Sequence, residues 1–144
     1  MFGIVLVAPF DLDTRAVDRV TGGLGYGHVA LAAGETDEFG RTIVVDASTV
    51  TRCVSRRPLL DVTRRVPFRV ISIDETEATY ERALERLGEP YDFRALVGFK
   101  PRLGHWTCSG LVHHCLPEAL RAKVKPWRRG WSVAPNDLVR AFGG

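Results

Sequence analysis

Two short apolar runs, residues 3–8 and 28–33, limit what this 144-residue chain can fold into more than any other feature. Gly-Ile-Val-Leu-Val-Ala is continuous and closed by Pro9, which suits a strand buried on both faces. His-Val-Ala-Leu-Ala-Ala follows a glycine-rich turn at Gly25 and Gly27 and reads the same way. The polar stretch 34–41 then reads as a hairpin loop, 42–47 as the returning strand and 68–73 as a later one. A membrane helix needs about 20 apolar residues, and no run approaches that. Nothing basic precedes the first run and no small-x-small site follows it. We therefore read it as a strand rather than an export signal, and expect a reducing, cytoplasmic location.

Helical patterns fall later. Asp13 suits the N-cap of a short helix carrying Ala16, Val17 and Val20, stopped by Gly22 and Gly23. Asp74 and Glu77 read as a capping box before the stripe Tyr80, Ala83, Leu84 and Leu87. Leu111, Val112 and Cys115 share one helical face, bounded by Pro117. Residues 135–142 form a last helix with proline at its favoured first position. Residues 48–65 show little periodicity and five arginines. Strands early and helices late imply one α+β domain over residues 1–144. At 45% apolar and 26% charged residues the chain can bury a core, and a net charge of +3 imposes no nucleic-acid partner.

Three cysteines leave at least one free thiol. Cys108 falls where a helix should start, and there unpaired N–H groups and the dipole favour a thiolate. A thiol nucleophile needs a base, and the base an orienting partner. His28 opens an apolar strand, and Gly25 and Gly27 beside it allow another chain or a substrate to come close. A hairpin with residue 28 opposite 46 sets Asp46 beside that imidazole.

These segments resemble a known family. Gly27-His28-Val29-Ala30-Leu31, Val44-Val45-Asp46-Ala47, Tyr91-Asp92, Cys108-Ser109-Gly110-Leu111-Val112 and Pro135-Asn136-Asp137-Leu138 are similar to the permuted branch of the NlpC-like, papain-fold cysteine hydrolases. That branch includes relatives of lecithin:retinol acyltransferase, and in it the histidine precedes the cysteine. The resemblance implies Cys108 as nucleophile, His28 as base and Asp46 as third member. It also implies an antiparallel sheet or partial barrel with the cysteine helix packed on it, and no cofactor. Peptide-like amides, esters or thioesters are the implied substrates, with hydrolysis or acyl transfer as the outcome. The Cys108 N–H suits an oxyanion donor; Tyr26, Gly27, Tyr91 and Trp106 are candidates for the pocket.

Two rival readings come from other residues. His105, Cys108, His113, His114 and Cys115 crowd into eleven residues but match no zinc-finger spacing. Arg121, Lys123, Lys125, Arg128 and Arg129, interleaved with Trp127 and Trp131, suit a nucleic-acid or anionic-surface module. The glycines at 23–27 follow a helix and precede a strand, the reverse of a dinucleotide fingerprint.

Overall fold

The computed structural model describes residues 2–96 and 100–143. Strands β1 (Phe2–Val7), β2 (His28–Ala33), β3 (Ile43–Ala47), β4 (Val54–Pro58) and β5 (Phe68–Ile71) form an open antiparallel sheet in the order β4-β3-β2-β1-β5. The helices are α1 (Leu12–Val20), α2 (Leu59–Thr63), α3 (Thr76–Leu84), α4 (Phe93–Leu96), α5 (Cys108–Cys115), α6 (Glu118–Arg121) and α7 (Pro135–Phe142). The architecture is α+β, as the order of strand and helix patterns predicts.

Both central apolar runs are buried because the sheet is covered on both faces. Ile4, Leu6, Val29, Leu31 and Val45 pack against Leu111 and Val112 of α5, Tyr80 of α3 and Leu138 of α7. On the opposite face Val5, Val7, Ala30 and Val44 meet Val62 of α2, with Phe10 and Leu59 around them. Leu111 and Leu138 are fully buried, and truncating such a residue typically costs about 2–5 kcal/mol. None of the described helices is long and apolar enough to cross a membrane.

Local details depart from the sequence reading in four places. Asp11, not Asp13, caps α1: its carboxylate accepts from the Thr14 N–H at 2.8 Å while the Thr14 hydroxyl accepts from the Asp11 N–H at 3.0 Å. Neither Asp74 nor Glu77 caps α3; Glu75 does so in a left-handed conformation, and the helix stops at Leu84, leaving Leu87 43% exposed. The aperiodic stretch 48–65 contains β4 and α2, because β4 is an edge strand whose arginines hide any apolar alternation. The β2–β3 register pairs Leu31 with Val45, which carries Asp46 across from Ala30 rather than from His28. The difference is two residues, so the two side chains still share a face.

Gly27 fixes how α1 folds back over the ends of β1 and β2. Its N–H donates to the Val7 carbonyl at 3.0 Å. A β-carbon there would stand 2.4 Å from the Thr14 carbonyl oxygen, a backbone atom of the first turn of α1. The glycine thus admits another chain segment, as its place beside His28 suggests, and that segment is α1. Replacing Gly27 with Ala should destabilise the protein by about 1–3 kcal/mol, read as a lower urea midpoint with an unchanged slope. An unchanged midpoint would show that α1 is not held by this contact.

Candidate active site

His28 begins β2 and is buried. Its Nε2 lies 2.7 Å from Asp46 Oδ2 on β3. The imidazole spans the diagonal that the two-residue register difference creates. Asp46 is fully buried and makes two further bonds: Arg57 on β4 donates from Nε to Oδ1 at 3.1 Å and from Nη2 to Oδ2 at 2.8 Å. Phe10 abuts the imidazole edge-to-face, with ring centroids 6.1 Å apart.

Cys108 occupies the first turn of α5. Thr107 caps this helix, its hydroxyl accepting from the Gly110 N–H at 3.0 Å. Ser109 donates from its hydroxyl to the Val133 carbonyl at 2.5 Å and ties the helix start to the segment before α7. The Cys108 thiol lies close enough to His28 and to the Val29 backbone for both to lower its pKa. Because Nε2 belongs to Asp46, Nδ1 is the ring nitrogen left for the thiol.

The electrostatics follow from this packing. Burial disfavours the charged form of both partners, and each partner overcomes that for the other. For His28 burial acts downward, yet the charge on Cys108 and the bond to Asp46 push the imidazole up to about 10. For Cys108 burial acts upward, yet the His28 charge, the His28 hydrogen bond and the Val29 N–H bring the thiol below its ordinary value. Asp46 is held low against burial by the bond and charge of His28 and then by Arg57. Both shifts favour the charged form, toward thiolate and imidazolium, the nucleophilic form of a cysteine. Cys115, two turns along the same helix, has no such partner, and burial pushes it up to about 11.

A cavity of about 400 Å³ opens onto Cys108 and His28, with Phe10, Val17, Leu96 and Trp131 among its walls. Gly27 and Tyr91 also line it. Burial, and then the negative charge of Cys108, raise the Tyr91 phenol, which stays protonated and able to donate. Tyr26 and Trp106 are not cavity residues. Tyr26 packs against the main core, and Trp106 stacks on His114 with centroids 4.7 Å apart. Trp106 instead holds the Tyr91 segment through its backbone: its N–H donates to Pro90 O at 3.0 Å and its carbonyl accepts from Asp92 N–H at 2.9 Å.

The crowded histidines are spent on other contacts. His105 bonds the Leu103 carbonyl, His113 bonds the Arg121 carbonyl, and His114 lies on Trp106. Among the described residues no three metal-ligating side chains converge. Arg57 is the site residue that sequence reasoning missed. Alternation along β4 places it on the Asp46 face, but that strand was itself invisible.

Comparison with known proteins found no family model, no curated protein and no solved structure that matches this chain.

A small alkylating reagent at neutral pH should label Cys108 before Cys53 and Cys115. Its rate should hold as pH falls from the ordinary thiol range, near 9, through neutrality, because the thiolate persists beside His28. His28→Ala should move the fall in rate back up toward that range. Peptide mapping after pH-resolved labelling reads both effects; first labelling at Cys53 would remove the ion pair from the account.

Asp46→Ala should destabilise the fold by about 3–5 kcal/mol, since it strands a buried imidazolium and guanidinium together. Arg57→Ala should have a smaller effect, because Asp46 keeps His28. Paired denaturation curves check the order, and equal losses would contradict the arrangement.

Proposed function

We propose that this protein is a cysteine hydrolase acting on amide, ester or thioester carbonyls through Cys108, His28 and Asp46. The observation that carries the proposal is a buried thiol of lowered pKa beside an imidazole that a buried carboxylate holds, both at the wall of one cavity. Structural cysteines lack that pairing, as Cys115 illustrates. The order of His before Cys, and the packing of α5 on an antiparallel sheet, agree with the resemblance to the permuted papain-like branch.

The mechanism follows from the atoms. The Cys108 sulfur attacks the carbonyl carbon and the C=O electrons move onto oxygen. Backbone N–H groups in the first turn of α5 lack helical acceptors and suit that oxyanion. Tyr91 supplies a neutral donor in the same cavity. His28 gives its Nδ1 proton to the leaving group as the C–N, C–O or C–S bond breaks, leaving an acyl-enzyme. Water then loses a proton to His28 and attacks the thioester, and Cys108 leaves as thiolate. Asp46, steadied by Arg57, keeps the ring oriented and stabilises the imidazolium throughout. A second acceptor replacing water would make the same site an acyltransferase, and the apolar walls at Phe10, Val17 and Leu96 favour acyl substrates in either case.

Purified protein should turn over activated acyl esters, and intact mass spectrometry should catch an acyl adduct on Cys108. Cys108→Ala should abolish both, and His28→Ala should lower kcat/KM by roughly 10²–10⁴. Turnover that survives Cys108→Ala, or a panel of esters, thioesters and peptides left uncleaved, would overturn the proposal.

A further inference from the structure

We infer that the mouth of the Cys108 cavity docks on an anionic lipid surface. One side of the mouth is α1, whose residues Ala16, Val17 and Val20 line the cavity. Leu12, Ala16 and Val20 recur at four-residue spacing and form one stripe along that helix. The stripe faces outward: Leu12 is 82% and Val20 53% exposed. Arg15 and Arg19 flank it and are exposed.

The other side is the segment carrying Trp127 and Trp131. Trp131 lines the cavity, and Arg128 lies over its ring at 4.9 Å. Trp127 is 48% exposed and packs beside Gly22, just past the end of α1. Arg140 joins the two sides: it covers the Trp127 ring at 4.1 Å and donates to the Thr21 carbonyl. Leu24, 45% exposed, extends the apolar patch along the adjoining turn.

Charge decides the occupant. Lys125, Arg128 and Arg129 are exposed around Trp127. None of Arg15, Arg19, Lys125, Arg128 and Arg129 takes part in an ion pair among the described residues. Asp11 and the exposed Asp13 also border the cavity, but five cations without ion pairs outnumber these two carboxylates, and such a rim around an outward apolar stripe and a tryptophan suits a helix that lies in a lipid interface. A nucleic acid would use the cations and stack on Trp127, but it leaves Leu12 and Val20 facing water. A bilayer uses both, with headgroup phosphates on the arginines and acyl chains on the stripe. Docked in this way, the cavity opens at the level of the acyl chains. The surface does not depend on the thiol chemistry, so the two proposals fail separately.

The test is flotation with vesicles of phosphatidylcholine alone and with 30 mol% phosphatidylglycerol, using wild type and the Cys108→Ala variant. Both proteins should float with the anionic vesicles and stay behind with the neutral ones. Arg19→Glu with Arg129→Glu should weaken binding by at least about tenfold. Leu12→Glu should weaken the binding that persists at high salt, and circular dichroism should show each variant folded. Absence of flotation with either vesicle overturns the inference. So does binding insensitive to Leu12→Glu, or retention by single-stranded oligonucleotide at salt where vesicles no longer compete.

Discussion

Asp46 lies fully buried between an imidazole and a guanidinium, and much of the architecture serves to keep it there. A lone carboxylate in that position would take up a proton rather than stay charged. Three strands must therefore hold register together: β2 for His28, β3 for Asp46 and β4 for Arg57. A one-residue slip of any strand would turn its contributor to the other face. The apolar layers on both sides of the sheet set that register, so the hydrophobic core and the buried charge network constrain each other.

The thiol reaches this charge network from a separate layer. Leu111 and Val112 seat α5 on one sheet face, and the first turn of the helix then projects toward the start of β2. Thr107 and Ser109 fix that turn from either side, one by capping and one by a bond to Val133. The sulfur meets the Val29 N–H as well as His28. Its acidity is thus raised by its charged neighbour and by strand backbone together.

Residues of strong local character were legible in the sequence. The apolar runs of β1 and β2, the face of α5 and the proline that opens α7 all lie where their patterns place them. So does the shared face of His28 and Asp46, because strand parity survives a two-residue error in register. What escaped detection depends on tertiary context. β4 is held by its neighbour rather than by its own composition, and with it went Arg57. The caps of α1 and α3 are chosen by where the chain enters the helix, which composition does not specify. Trp106 looked like a pocket residue by proximity to Cys108, but its backbone pairing with the Tyr91 segment turns the ring toward His114.

Asn136 on α7 donates to Asp18 of α1 at 2.9 Å across a sequence separation of 118 residues. Asn136 also donates to the Asp18 carbonyl at 3.2 Å and to the Thr21 hydroxyl at 3.1 Å, and so ties α7 to α1, the helix that walls the cavity. Until the sheet and α5 come together, Cys108 lacks its imidazolium and has the modest acidity of any unfolded thiol. The acidity of this sulfur is thus a property of the assembled fold, and its labelling rate reports whether β2 and α5 have come together.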